Sequence, residues 1–180
     1  MERTVHTVGH STRPLDELVA VLTSAGVTRL LDVRSIPRSR TNPQFNIDVL
    51  PAALAPHGID YRHLAALGGR RSSRRDVPSR NLRWQHPAFR AYADYAATPA
   101  FRSGLELLES LALERPSAIM CAEAVWWRCH RRLIADSLIV RGWTVMHLMG
   151  VERAEVARLT PGARVLENGT IEYPADAGGI

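Results

Sequence analysis

Reactive and anion-binding side chains gather in a few short segments of this chain, most of them at the ends of strand-like runs. Gly9-His10-Ser11-Thr12 closes one run. Asp32-Val33-Arg34-Ser35 closes the next and continues as Pro37-Arg38-Ser39-Arg40. Leu67-Gly68-Gly69-Arg70, Cys121-Ala122-Glu123 and Arg128-Cys129-His130-Arg131 follow, and His147 lies inside a later apolar run. Arg34, Arg38 and Arg40 sit in a proline-constrained loop and suit two-pronged binding of phosphate, sulfate or carboxylate. The alternative is pairing with acids such as Asp32 and Asp48. Cys129 falls at or near an expected helix N-terminus among cations, where amide donors and positive charge favour the nucleophilic thiolate. Its other reading is a small, inert, half-buried thiol. Glu123, just past an apolar strand, is a candidate for acid–base work in a buried setting, or an arginine partner holding the rim. His10 reads as a base or donor, or as a ring that bonds its own glycine-led turn. His130 follows Cys129, but neighbours on a helix diverge by about 100°, which counts against a Cys–His dyad.

Other chemistries are less well served. The Cys-x7-Cys-His spacing of Cys121, Cys129 and His130 fits no common zinc knuckle. The chain has no lysine, so it builds neither a phosphate-loop lysine nor a Schiff base. No cofactor and no metal are expected. Trp126-Trp127 reads as core or partner surface before it reads as a base-stacking platform.

These residues need a scaffold, and the pattern supplies one. Thr4 to Gly9, Arg29 to Val33, Ile59 to Leu64, Ala118 to Ala122 and Thr144 to Met149 read as strands. Helical spacing follows Pro14 through Leu22, then from Ile47 to about Ala55, Pro87 to Ala97, Pro99 to Leu113 and Cys129 to Arg141. Alternation of this kind predicts an α/β fold: one domain over residues 1–180, with a mainly parallel sheet of about five strands flanked by helices. Residues 68–83, rich in Gly, Ser, Arg and Pro, read as a mobile loop. Asn168-Gly169 between two alternating runs predicts a C-terminal β-hairpin at about residues 163–173. In an open sheet of this class, ligands bind beyond the carboxyl ends of the strands, where the polar segments lie.

Composition sets outer bounds. With 180 residues, 46% hydrophobic and 23% charged, the chain matches an ordinary globular domain and not a disordered one. Apolar runs of about five or six residues are too short for a transmembrane helix. The first residues lack the pattern of a secretory leader, and two cysteines do not make a disulfide scaffold, so a cytoplasmic protein is expected. All 23 basic residues are arginine, against 18 acids. Eight of them (62, 70, 71, 74, 75, 80, 83 and 90) crowd one segment with the single acid Asp76. That charge reads as a solvated surface or as the footprint of a phosphate-rich partner.

Taken in order, the motifs resemble the domain of unknown function family 488, small bacterial and archaeal proteins. The resemblance rests on Thr7-Val-Gly-His-Ser11, Leu31-Asp-Val-Arg-Ser35 with Pro37-Arg-Ser-Arg40, and Asn42-Pro-Gln-Phe45-Asn46. Tyr61-Arg-His-Leu64, Leu67-Gly-Gly-Arg70, Met120-Cys-Ala-Glu123, Cys129-His-Arg131 and Val145-Met-His147 extend it over residues 4–150. It implies that His10, Arg34, Arg38, Cys121, Glu123, Cys129, His130 and Arg131 form the family's signature cluster, and it supplies no reaction. Val125-Trp126-Trp127 departs from the smaller residues and proline usual before Cys-His-Arg. Asp32-Val33-Arg34 is also similar to a tripeptide of rhodanese-like sulfurtransferases, which cradle their cysteine in a loop of backbone amides.

The leading expectation is an enzyme acting on a phosphorylated small molecule, a nucleotide or a nucleic acid. Catalysis would fall to Glu123, Cys129, His10 and His130. Ser11, Arg34, Arg38, Arg40, Gly68, Gly69, Arg70, Cys121 and Arg131 would line the anion site. The alternatives are a nucleic-acid-binding module without chemistry, using the basic loop, and a thiol-dependent redox or sulfur-transfer protein.

Overall fold

β-Branched and apolar runs build the central sheet of the computed structural model, which describes residues 3–73 and 76–175. Five strands run parallel: β1 (Thr4–Gly9), β2 (Arg29–Asp32), β3 (Asp60–His63), β4 (Ser117–Cys121) and β5 (Thr144–Gly150). A sixth, β6 (Arg153–Val156), pairs antiparallel with β5. The order is β3-β2-β4-β1-β5-β6.

Side chains alternate across a strand, so the sheet has two apolar faces. Ala118 and Met120 of β4, with Val8 and Leu30, pack under α1 (Leu15–Ser24) and α2 (Leu50–Leu54). Ile119 and Cys121 of the same strand, with Val5 and Leu31, pack under α3 (Pro87–Tyr95), α4 (Pro99–Glu114) and α5 (Arg131–Val140). The result is three layers with the sheet in the middle. Among the described residues no helix is long and apolar enough to cross a membrane.

Strand order then decides where a ligand can sit. β1 and β2 both hand the chain to helices on the α1/α2 face. β4 lies between them and leads to α5 on the opposite face. The connections therefore part on either side of β4, which opens a crevice beyond the strand ends. Register keeps those ends level: Gly9 lies beside Cys121, and Asp32 beside Met120.

The expected α/β class, the mainly parallel sheet and the C-terminal hairpin are all present, and three local features differ. β6 is exposed throughout and only four residues long, so its short Arg-Ala-Glu-Val alternation becomes a strand through pairing with the β5 edge. Helix α2 is shorter than Ile47 to Ala55: residues 47–49 form a turn, the helix starts at Leu50 with Pro51 in its first turn, and at Pro56, which cannot donate a helical hydrogen bond, the chain tightens into a 3-10 turn at Ala55–His57. Helix α5 starts at Arg131, not Cys129, which is extended at φ −124° and ψ 150°.

The hairpin joins β7 (Arg164–Val165) to β8 (Ile171–Glu172), with Gly169 at φ 78° in the turn. Beyond it the Tyr173 hydroxyl donates to Asp136 Oδ2 at 2.8 Å, and the Tyr173 amide donates to Asn81 Oδ1 at 2.9 Å. The C-terminal segment thereby ties the stretch around Asn81 to α5.

Candidate functional site

Beyond the strand ends lies a cavity of about 1020 Å³, within the range that holds a small organic ligand. Its floor comes from the ends of β1, β2 and β4 and from the turn before α5: His10, Ser11, Arg34, Cys121, Cys129 and His130. Ser11 holds φ 49°, a left-handed conformation uncommon outside glycine, while its amide donates to the Ala122 carbonyl. Turns strained in this way cluster at ligand sites.

The cysteine side of the floor is built around a sulfur. Cys129 is 5% exposed, and its Sγ lies 3.4 Å from His130 Nδ1. His130 Nε2 donates to the Val33 carbonyl at 2.8 Å, an acceptor that can take only an N–H. That bond fixes the tautomer of the neutral ring and leaves Nδ1 to accept the thiol proton. Because Cys129 is extended and His130 is the N-cap, the helical divergence expected of the pair does not apply. Burial pushes the Cys129 thiol up, but a hydrogen bond from Cys121 and the charges of His130 and Arg131 outweigh it and hold the thiol well below its ordinary range. Burial and the neighbouring sulfur push the Cys121 thiol the other way, well above its ordinary range.

Arg131 is fully buried and serves this side as a clamp. Its Nε donates to Cys121 Sγ at 3.0 Å, one terminal nitrogen donates to Thr7 Oγ1 at 3.2 Å, and the other donates to the Glu123 carbonyl at 2.7 Å. Thr7 Oγ1 in turn shares a hydrogen bond with His147 Nδ1 at 2.7 Å, and the His147 ring stacks on Trp126 at 4.3 Å. Burial, helped by the Arg131 charge, lowers the His147 pKa to about 4, so this ring is neutral at pH 7.

The arginine side is closed on itself. The Asp32 carboxylate accepts the Arg34 amide at 3.0 Å, its guanidinium at 2.6–3.1 Å and the Tyr61 hydroxyl at 2.6 Å. The same guanidinium donates to the Phe45 carbonyl at 2.7 Å and meets His10 Nε2 at 3.2 Å. His10 Nδ1 donates to the Ser11 carbonyl at 2.8 Å, so Nε2 carries the lone pair that Arg34 occupies. Burial first, with the Arg34 charge adding to it, lowers the His10 pKa to about 4. Its ring stacks on Phe45 at 4.3 Å.

Residues 14–138 match the family described as Domain of unknown function DUF488. The chain belongs to that family. No curated protein and no solved structure matches it.

In this DUF488 chain the site residues expected from sequence divide into two groups, those that line the cavity and those that do not. Ser11, Gly69, Arg70, Arg38 and Glu123 line the cavity with the floor residues already named. Arg40 and Gly68 do not line it, and neither does Arg131, whose donors are committed to sulfur, hydroxyl and carbonyl. Glu123 is exposed, so the buried setting that acid–base work called for is missing. Gly68 and Gly69 instead allow close packing: a Cβ on Gly68 would stand 2.5 Å from Ser35 Oγ, and one on Gly69 would stand 2.5 Å from His130 Nδ1. Of the rhodanese-like expectation, one backbone amide, that of Arg131, reaches Cys129 Sγ at 3.5 Å.

Most described arginines of the basic segment are engaged. Arg62 pairs with Asp60, Arg80 with Glu172, and Arg90 Nε donates to the Trp84 carbonyl. Arg71 donates to three carbonyls and lies 3.7 Å over the Tyr95 ring. Arg83 is also partnered, and Arg74 and Arg75 lie outside the described residues. Exposed cations lining the cavity itself are Arg70, Arg128 and Arg38, the last 3.3 Å from Asp48.

Sequence reading missed the outer wall. Trp84, His86, Phe89 and Tyr92 line it, and so does Trp127 at 46% exposure. The signal was the aromatic run from Trp84 to Phe89, which reads as helix-flanking core. Its partner Trp126 is taken up by the His147 stack, so the tryptophan pair has one structural and one open member. Thr7 and Val33 were also missed, since neither residue type announces chemistry.

Proposed function

We propose that this protein is a thiol-dependent enzyme with Cys129 as its nucleophile, acting on a small phosphate-bearing substrate such as a nucleotide or an accessible nucleic-acid end. The observation that carries this reading is the Cys129 Sγ to His130 Nδ1 contact at 3.4 Å, with His130 held from behind by Val33. A nucleophile, a base in reach and a third group orienting the base make up the recurring arrangement of covalent catalysis. The Cys129 proton passes to His130 Nδ1. The thiolate then forms a bond to the electrophilic atom, and the leaving group departs with its electron pair and collects the proton from His130. Water releases the adduct, and sulfur leaves as thiolate.

Substrate charge follows from the rim. Arg70, Arg128 and Arg38 present guanidinium groups to the cavity, and Arg34 adds only the edge left over from Asp32. Open aromatic surface at Trp127 suits a planar group beside the anion.

Iodoacetamide labelling across pH tests the nucleophile. The expected midpoint for Cys129 lies well below the ~8.5 of an ordinary thiol, and an ordinary midpoint overturns the reading. A thermal-melt screen of nucleotides, sugar phosphates and short oligonucleotides, with Arg70→Ala as control, tests the substrate class. A ligand at 100 times its Kd adds about 2.7 kcal/mol. Shifts with oligonucleotides alone, erased by salt and indifferent to the substitution, would favour a binding module instead.

A further inference from the structure

Cys121 has no part in that nucleophilic step, yet its sulfur is closely held. It ends β4 beside Gly9, is 2% exposed and lines the same cavity as Cys129. Arg131 touches both sulfurs, through Nε to Cys121 at 3.0 Å and through its amide to Cys129 at 3.5 Å. The Cys121 thiol donates to the Glu123 carbonyl at 3.7 Å, and each sulfur shifts the titration of the other, Cys129 downward and Cys121 upward. Neither is in a disulfide. A thiolate lining a cavity, with a second thiol held beside it by the same arginine, supplies both parts of a two-cysteine oxidation: the sulfur that is oxidised and the one that resolves it.

We infer that Cys129 and Cys121 form a hydroperoxide-reactive pair, in which Cys129 is oxidised and Cys121 resolves it as an intramolecular disulfide. This rests on the thiolate reading of Cys129. In the first step the thiolate attacks one oxygen of the hydroperoxide. An S–O bond forms, the O–O bond breaks, and the departing alkoxide or hydroxide takes its proton from His130, giving a sulfenic acid. In the second step the Cys121 sulfur attacks Cys129, the S–S bond forms and the S–O bond breaks. The Cys121 proton leaves with that oxygen as water. One hydroperoxide and two thiols become one disulfide, one alcohol or water, and one further water, with both electrons drawn from the sulfurs. The oxidised form lacks the nucleophile, so oxidation switches off the proposed activity until a dithiol reductant restores it.

A purely structural Cys121 gives a different product. Without a resolving thiol, the sulfenic acid proceeds to the irreversible sulfinic acid. The test is intact-mass and peptide mapping of the wild-type chain after graded hydrogen peroxide, followed by dithiothreitol. The expected result is loss of two hydrogens, a link between the Cys121 and Cys129 peptides of one chain, and full reversal by dithiothreitol. Cys121→Ser should trap dimedone at Cys129 and then over-oxidise. Gain of two oxygens at Cys129 in the wild type, with Cys121 still alkylated after unfolding, overturns the inference. So does a link between separate chains. The wild-type result stands alone if Cys121→Ser fails to fold. Iodoacetamide labelling of the untreated protein separates the two readings. Low-pH labelling of Cys129 without disulfide formation removes only the resolving role, and ordinary labelling removes both.

Discussion

The two sides of the cavity floor use the same residue classes to opposite ends. On the β2 side, Asp32, Arg34, His10 and Tyr61 form a closed network in which most guanidinium donors already have acceptors. On the β4 side, Cys121, His130 and Arg131 surround a sulfur whose thiol they hold below its ordinary range, and which lines the cavity. Both arginines have their donors committed, so their roles part on what the charge meets. What separates Arg34 from Arg131 is the partner: a carboxylate that cancels the charge, or a thiol that responds to it.

The largest expected effect comes from opening the closed side. Asp32→Ala strands the Arg34 charge in the interior and should cost about 3–5 kcal/mol in urea denaturation. Cys129→Ser, nearly unchanged in volume, should cost under about 1.5 kcal/mol while abolishing labelling and turnover. If both substitutions destabilised equally, the contrast between scaffold and reactive side would fail.

Acid probes both sides at once, through His10 and His147. Each has a folded pKa of about 4 against an ordinary 6.5, so the unfolded chain takes up more protons between those values. Their contribution is fully present above pH 6.5 and is lost as pH falls toward 4, on the order of 3 kcal/mol for each ring. Chemical denaturation at pH 7 and at pH 4.5 checks it. Stability that stays flat over this window would mean the rings are not buried neutral.

Thr7→Val removes the hydroxyl that joins Arg131 to His147, leaving two buried groups short of a partner. It should cost about 1–3 kcal/mol and raise the labelling midpoint of Cys129 as the clamp loosens. Gly69→Ala pushes on the His130 ring and should cost a similar 1–3 kcal/mol, again with a raised midpoint. Smallest is Arg38→Ala. Its exposed pairing with Asp48 is worth under about 0.5 kcal/mol, so stability should barely move while affinity for a phosphate-bearing ligand falls.

Much of the scaffold was readable because it is local. β-Branched runs such as Thr4–Gly9 and capped apolar repeats such as Pro99–Glu114 lead to their elements with little help from distant residues. The floor residues were readable too, since polar side chains after apolar strands stand out. The dyad was not. Periodicity carries the last helix back to Cys129, while the chain stays extended there and His130 turns to Val33, 97 residues away in sequence.

Sequence by itself thus determined the class of fold, the strand ends that carry polar groups, and the cysteine to watch. Tertiary structure decided which polar groups remain open. Asp32 closes on Arg34 from two residues away, which sequence proximity suggests, but Tyr61, Phe45 and His10 complete that closure only once β2, β3 and β1 are assembled. The placement of β4 between β1 and β2 has no local cause at all. It reflects the helices dividing between two faces, and it brings Cys121, Cys129 and His130 into the crevice. Hydrogen-bond satisfaction and charge coupling are sums over neighbours in space, so a sequence names the participants and the fold assigns their roles.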